Sequence, residues 1–210
     1  MNSQRVILPP AGIDMGKIFY LIGPSASGKD SLARELLSHF RERLIPVTMS
    51  TTRPIRSGEE CGRDYIFLNE EDFIRLKKEG KVIESRTYQT VYGPWTYATV
   101  DTGQIDLNKS YYLMTGTLES FRSTQAYFGK KAVIPLYIEL DKGERLSRAL
   151  ERERRQKNPR YAEMCRRFLA DEEDFSADKI EAFHFPRIFH NQDFSECLKE
   201  LIGAIEKEMA

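Results

Sequence analysis

The feature that most constrains the fold of this chain is a short loop rich in glycine and serine, GPSASGK, at residues 23–29. The apolar run Lys17–Ile22 precedes this loop and is typical of a buried strand. After the loop, leucine and phenylalanine recur at helical spacing from Leu32 to Phe40, which predicts an amphipathic helix. Glycines let consecutive N–H groups of such a loop turn toward an anion at the helix N-terminus. A strand, this loop and a helix together predict the opening of an α/β domain with a phosphate-binding loop.

The GxxxxGK pattern also predicts which residues contact phosphate. Lys29 is expected to bridge the β- and γ-phosphates of a nucleoside triphosphate. The predicted nucleotide-binding residues are Gly23, Pro24, Ser25, Ala26, Ser27, Gly28, Lys29, Asp30 and Ser31. A glycine and serine turn without a ligand is the competing interpretation, and the strand before the loop and the helix after it argue against that interpretation.

Asp30 departs from the usual pattern, in which a serine or threonine directs its hydroxyl at Mg²⁺. A carboxylate is a hard oxygen ligand and could bind Mg²⁺ directly. It could equally do no more than stabilise the N-terminus of the helix. The sequence leaves both interpretations open, and the first makes Asp30 a predicted metal ligand.

The rest of the chain alternates strand and helix patterns, which favours a parallel sheet covered on both faces. We therefore predict a three-layer α/β fold of the P-loop NTPase type, with a central parallel sheet flanked by helices and a small inserted subdomain. A strand is expected at 46–49, a helix at 117–128 and a last helix from Phe194. The predicted division is a mobile leader at 1–15 and one domain at 16–210, with its core at about 16–48 and 104–210 and an insertion at about 49–103.

The charge balance and the cysteines restrict the partners and the compartment. Lysine plus arginine and aspartate plus glutamate both number 32, so no overall field favours nucleic acid or an anionic membrane. The three cysteines are far apart and form no disulfide framework or zinc pattern. No apolar run approaches the length of a membrane helix, which is about 20 residues. We expect a cytoplasmic protein, a monomer or homodimer, that acts on small molecules.

A second cluster of hydrogen-bond donors begins at Ser50, in the stretch STTRPIRSGE and the following GRDYIF. Arg53, Arg56 and Tyr65 are the donors of this cluster, and guanidinium groups bind phosphate oxygens bidentately. A doubly charged phosphate monoester needs more than one cation to hold it near a triphosphate. Two ordinary surface arginines in a solvated loop are the alternative interpretation.

Together with the phosphate loop, this stretch resembles the guanylate kinase family, and the weaker resemblance runs from about residue 17 to the C-terminus. The resemblance implies transfer of a phosphoryl group from ATP to GMP or dGMP with Mg²⁺. Its implied substrate-binding residues are Ser50, Arg53, Arg56, Tyr65, Glu84 and Tyr92, with Glu84 recognising guanine and Tyr92 contacting the acceptor phosphate. It also implies that the insertion is a small acceptor-binding subdomain and that a helical lid lies at about 150–172. The implied catalytic residues are Lys29, Arg53 and the lid arginines Arg152 and Arg167, and Asn191 is implied to lie beside adenine.

Three departures concern recognition of the base. Met49 and Pro94 replace hydroxyl-bearing residues of that family, and the segment Leu113–Gly116 lacks its two acids. The segments Gly28–Ser31 and Thr115–Thr117 are similar to a second family, ribose 1,5-bisphosphate phosphokinase. A kinase for that sugar bisphosphate is therefore the alternative activity, and a catalytically weak binding module of the same fold is a second alternative.

Overall fold

The computed structural model describes residues 16–55, 59–90 and 93–210. The strands, in chain order, are β1 (Ile18–Ile22), β2 (Leu44–Pro46), β3 (Ser50–Thr51), β4 (Ile66–Phe67), β5 (Val82–Thr90), β6 (Gly93–Val100), β7 (Tyr111–Gly116), β8 (Val133–Glu139) and β9 (Ile188–His190). The α-helices are α1 (Lys29–Phe40), α2 (Glu70–Lys78), α3 (Leu118–Phe128), α4 (Lys142–Arg154), α5 (Tyr161–Asp174), α6 (Ala177–Phe183) and α7 (Phe194–Met209), and Arg41–Arg43 form a 3₁₀ turn. The predicted leader at 1–15 lies outside these residues.

The main sheet has the strand order β2-β7-β1-β8-β9, and every neighbouring pair is parallel. β1 is buried on both faces, as its continuous apolar sequence predicts. Phe19 and Leu21 belong to one core with α1 and α7, whereas Tyr20 and Ile22 belong to a second core with α3 and α6. The predicted three-layer α/β fold with a central parallel sheet is confirmed.

A second sheet has the order β4-β3-β6-β5, with β6 antiparallel to both of its neighbours. The strand predicted at 46–49 is wrong, because the chain passes from one sheet to the other there. The Val47 amide still bonds to the Leu113 carbonyl beside the main sheet, and the Thr48 amide bonds instead to the side chain of Gln104. β3 then begins at Ser50 in the second sheet.

Helix starts follow their capping residues. Thr117 and Ser120 form a capping box at the start of α3, and Asp193 accepts a hydrogen bond from the Glu196 amide at the start of α7. The helices expected at 117–128 and from Phe194 are confirmed within one residue. Across the described ranges, no helix is both long enough and apolar enough to span a bilayer.

Candidate active site

The loop at residues 23–29 joins the carboxyl end of β1 to the first turn of α1. Ala26 and Gly28 have positive φ angles of 61° and 90°, which turn the chain tightly into the helix. A Cβ on Gly23 would lie 2.8 Å from the Ile138 carbonyl oxygen, so no larger residue fits beside β8. No side chain of the described residues caps the N-terminus of α1, which leaves its first amides available to an anion.

The Ser25 peptide is held by α4 and α5, the two helices of the predicted lid region. The Ser25 amide donates to Asp171 Oδ2 at 2.8 Å, and Arg145 Nε donates to the Ser25 carbonyl at 3.2 Å. Arg145 also pairs with Glu172 at 3.0 Å and packs its guanidinium over the Phe168 ring. We call Arg145, Asp171 and Glu172 the Ser25 clamp.

The Ser27 peptide is held from the opposite direction by Asn191, which follows β9. The Asn191 side-chain Nδ2 donates to the Ser27 carbonyl at 2.7 Å, and the Asn191 amide donates to the Glu139 carbonyl at 2.8 Å. Asn191 is fully buried, and a Cβ on Gly28 would lie 2.2 Å from Nδ2. This buried position under the loop favours a role in shaping the loop over the expected contact with adenine.

The three residues that begin α1 differ in exposure and contacts. Lys29 Nζ lies 3.4 Å from the Pro24 carbonyl, so the side chain folds over the loop. The Ser31 hydroxyl accepts from Arg34 at 3.2 Å, whereas Asp30 is exposed. Burial raises the pKa of the Tyr65 hydroxyl, and the charges of Tyr97, Glu59 and Asp30 add to that shift.

The Asp30 carboxylate at this end of α1 is suited to a Mg²⁺ ion that is bound together with substrate phosphates. Mg²⁺ usually keeps several waters and takes one or two carboxylates together with substrate phosphates. Asp30 offers one exposed carboxylate beside the uncapped amides of α1. Within the described ranges, no group of three or more His, Cys, Asp or Glu side chains could hold a metal ion without a substrate. Asp30 is the residue that would hold the ion alongside bound phosphates.

Arg53 is the central cation of the second sheet and is buried. Its two terminal nitrogens bind both carboxylate oxygens of Glu59, and the guanidinium packs 5.1 Å from the centre of the Tyr65 ring. Among the described residues, neither Arg53 Nε nor the buried Ser50 hydroxyl has a hydrogen-bond partner. Buried polar atoms without partners are costly, and a bound ligand is one way to satisfy them. Arg56 and Tyr92, the other predicted acceptor-phosphate residues, lie outside the described residues.

Glu84 lies on β5 opposite Thr99 of β6, whose hydroxyl donates to Glu84 Oε1 at 3.0 Å. Burial raises the pKa of the Glu84 carboxyl, and the Thr99 hydrogen bond and the charge of Arg86 oppose that shift. Glu84 and Arg86 are two positions apart on β5, so their side chains lie on one face of the sheet.

Comparison with known proteins shows which family the chain belongs to. The family model for guanylate kinase matches residues 15–208 of the chain. The chain belongs to the guanylate kinase family.

The similar curated proteins match over a limited length. The chain is 38% identical over 92 residues to guanylate kinase of Mycoplasma genitalium, which covers 43% of this chain and 38% of the relative. It is also 38% identical over 79 residues to guanylate kinase of Thermotoga maritima, which covers 37% of this chain and 38% of the relative. These alignments span less than two fifths of the relatives' length.

The fold comparison covers more of the chain. The crystal structure of guanylate kinase from Anaplasma phagocytophilum superposes with a TM-score of 0.63 at 20% identity, over 93% of this chain and 87% of that chain. At this identity the likeness supports the fold.

The two expected lid arginines of this guanylate kinase family member lie away from the loop. Arg152 is exposed in the last turn of α4, and Arg167 on α5 is exposed and lies 3.5 Å from Glu163. In the described part of the chain, neither side chain contacts the phosphate loop. Arg145 contacts it instead, and it is not one of the residues predicted for the site. The signal that could have separated it is its spacing, because Arg145, Ala149 and Glu153 share the buried stripe of α4.

The structure explains why residue 116, where the family usually has an acid, is glycine in this chain. A Cβ on Gly116 would lie 2.4 Å from the Tyr20 hydroxyl and 2.5 Å from the Ser120 hydroxyl. Tyr20 donates to Ser120 at 2.9 Å, and both side chains are buried. This hydrogen bond fills the space that a side chain at residue 116 would need, so an acid cannot be restored there without repacking.

Proposed function

We propose that this protein transfers the γ-phosphoryl group of ATP to the phosphate of GMP or dGMP, giving ADP and the nucleoside diphosphate. The observation that supports this most is that the chain has two groups of anion-binding donors, one at the main sheet and one at the second sheet. The uncapped amides of α1 and Lys29 form the first, and Arg53, whose Nε has no partner among the described residues, belongs to the second, together with the half-buried Glu84. The chain's membership of the guanylate kinase family accords with this arrangement.

The proposed chemistry requires no side-chain nucleophile. An oxygen of the acceptor phosphate attacks the γ-phosphorus in line, the new P–O bond forms, and the bond to the bridging oxygen of ADP breaks. Lys29 and the loop amides bind the triphosphate, Arg53 and Tyr65 orient the acceptor phosphate, and Glu84 accepts hydrogen bonds from guanine N1–H and the exocyclic amine. Mg²⁺, held beside Asp30, would neutralise charge on the phosphates. Arg56, Tyr92, Arg152 and Arg167 are proposed to join these contacts with substrate bound.

The organisation of the chain and its setting belong to the same proposal. The core at 16–48 and 104–210 carries the donor site, the insertion at 49–103 carries the acceptor site, and the lid at 150–172 closes over both. We propose a cytoplasmic monomer or homodimer, and the three cysteines, which form no disulfide, accord with a reducing compartment. A specific observation favours a second candidate acceptor, ribose 1,5-bisphosphate: the crowding at Gly116, which excludes a base-recognising acid there.

A coupled ADP-release assay tests the proposal with Mg·ATP and a panel of GMP, dGMP, AMP, CMP, UMP and ribose 1,5-bisphosphate. We expect turnover with GMP and dGMP alone, near-complete loss in Lys29→Ala, and full activity in the matched control Lys130→Ala on the exposed surface. Arg53→Ala and the milder Arg53→Lys should mainly raise the acceptor KM, because lysine cannot reproduce the bidentate fork. Turnover with the sugar bisphosphate alone would select the second candidate, and silence across the panel would refute kinase activity.

A further inference from the structure

Arg86 lies near Glu84 on β5 of the second sheet, and it is not one of the predicted site residues. The two residues are separated by one position on β5, so their side chains share a face of the sheet. On the neighbouring β6, Thr99 lies opposite Glu84 and Tyr97 lies opposite Arg86. Tyr97 in turn packs against Tyr65, 5.8 Å between ring centres. One continuous face of the second sheet therefore runs from Tyr65, beside Arg53, to Glu84 and Arg86.

The present partners of Arg86 leave it available to a ligand. Arg86 Nη2 donates to Glu119 Oε2 at 2.7 Å, and Nη1 lies 3.6 Å from Asp174 Oδ2. The Glu119 side chain is 77% exposed and that of Asp174 is 45% exposed, and ion pairs with such exposed carboxylates are weak. A guanidinium has five N–H donors, so these contacts do not exhaust its capacity.

Space for a ligand group adjoins Arg86. A cavity of about 280 Å³ lies between β5, the start of α3, the end of α5 and α6. Arg86 lines it together with Leu118, Phe183 and several charged side chains of the neighbouring helices, and Glu84 lies outside it. The Arg86 side chain is 25% exposed, so part of its guanidinium is accessible to a ligand.

The chemistry of guanine completes the argument. Its N1–H and exocyclic amine are donors, which a carboxylate recognises, and its O6 and N7 are acceptors, which arginine recognises bidentately. The hydroxyl-bearing residues that guanylate kinases usually have at two positions near the base are replaced here by Met49 and Pro94. Glu84 alone satisfies the donor edge and leaves the acceptor edge without a partner, and an unpaired polar edge weakens binding.

We propose that Arg86 recognises the guanine base together with Glu84, with Arg86 donating to O6 and N7 while Glu84 accepts from N1–H and the exocyclic amine. Arg86 thereby replaces the missing hydroxyl donors and determines acceptor specificity. This inference rests on the proposed function, because it needs GMP as the acceptor.

Three acceptors separate the two edges of the base. GMP has all four groups, IMP lacks the exocyclic amine, and 2-aminopurine ribonucleotide lacks O6 and N1–H. We expect Arg86→Ala to lower kcat/KM by about 10–100-fold with both GMP and IMP, the range for a bidentate arginine–guanine contact. With 2-aminopurine ribonucleotide, where N7 alone remains, the loss should be about threefold at most. Arg86→Lys should fall between, because an ammonium cannot bind both acceptors in a plane.

Two control variants distinguish base recognition from other roles. Glu119→Gln removes the negative charge of the partner of Arg86 on α3, and Arg122→Ala removes an exposed cation from the same cavity. Both should leave the GMP to 2-aminopurine preference unchanged. An equal loss with all three acceptors in Arg86→Ala, or the same loss in Glu119→Gln, would show that Arg86 only braces the sheet against α3 and would overturn the inference.

The outcomes also separate this inference from the proposed function. Wild-type protein that phosphorylates GMP while Arg86→Ala keeps full activity refutes the role of Arg86 alone. Wild-type protein that does not use GMP refutes the proposed function before any variant is made, and a preference for ribose 1,5-bisphosphate would assign Arg86 to an anionic group instead. Thermal unfolding of each variant shows whether a loss comes from the site or from the fold.

Discussion

Replacing Asn191 with alanine tests whether this buried amide shapes the phosphate loop or contacts the base of the donor nucleotide. The side chain donates to the Ser27 carbonyl at 2.7 Å and is fully buried. Alanine removes this hydrogen bond and leaves the carbonyl to a water molecule, if one enters the space. Gln192 is the adjacent exposed residue, and Gln192→Ala is therefore the matched control.

The expected magnitude follows from that one hydrogen bond. A neutral amide–carbonyl bond contributes about 1 kcal/mol net, and a buried carbonyl left unpaired costs more, about 1–3 kcal/mol. Asn191 Oδ1 has no partner among the described residues, so its removal offsets part of this cost. We expect a net loss of about 1–2 kcal/mol, which corresponds to a factor of roughly 5–30. In a domain of this size the same loss lowers Tm by about 2–8 °C.

Steady-state kinetics with ATP and GTP as donors distinguish the two roles. If Asn191 shapes the loop, Asn191→Ala weakens kcat/KM for both donors by the same factor, because both carry the same triphosphate. If Asn191 contacts adenine, the variant loses activity with ATP and changes the ATP to GTP ratio. A changed ratio with an unchanged Tm would refute the structural argument.

Two further predictions concern the Ser25 clamp and Glu84. Asp171→Ala should raise the KM for ATP about fivefold and leave the acceptor KM unchanged, because the Ser25 amide loses a charge-assisted acceptor that is partly screened by solvent. Asp171→Asn keeps an acceptor oxygen and should raise the KM for ATP less. An equal rise in both KM values would contradict a role confined to the loop. Glu84 must be ionised to accept hydrogen bonds from guanine, and burial raises its pKa. As pH is lowered, kcat/KM for GMP should therefore fall at a higher pH than it would with an ordinary glutamate, whose pKa is about 4.3. Loss of Arg86, whose charge lowers that pKa, should move the fall to still higher pH, and a pH profile unaltered in Glu84→Gln would assign it to another group.

The elements that the sequence predicts well are those whose signals are local. The loop at 23–29, the helix of α1 and the start of α7 at Phe194 depend on residues a few positions apart, such as Asp193 with the Glu196 amide. The strands β3 and β4 have two residues each, and their existence depends on pairing with strands far along the chain. The sequence has no local signal for that pairing, which is why a strand was expected at 46–49 instead.

The candidate site shows the same division. Lys29 and Arg53 belong to contiguous motifs and could be assigned from sequence. Asn191 contacts Ser27 across 164 positions and Arg145 contacts Ser25 across 120 positions, so the sequence does not show which residue either side chain contacts. Arg86 belongs to no contiguous motif, and its contact with Glu119 depends on how α3 packs against β5.

The two supports of the phosphate loop differ in what they attach it to. Asn191 follows β9, and its amide bonds to β8, so it ties Ser27 to the rigid central sheet. Arg145 belongs to the part of α4 that precedes the region proposed as the lid, and Asp171 belongs to α5, within that region. Movement of those helices would release the Ser25 peptide and leave the Ser27 peptide in place. Because Ala26 and its positive φ lie between these peptides, such a movement would reorient the first half of the loop while the second half, with Gly28 and Lys29, keeps its geometry. The donor site would therefore respond to lid position through Ser25.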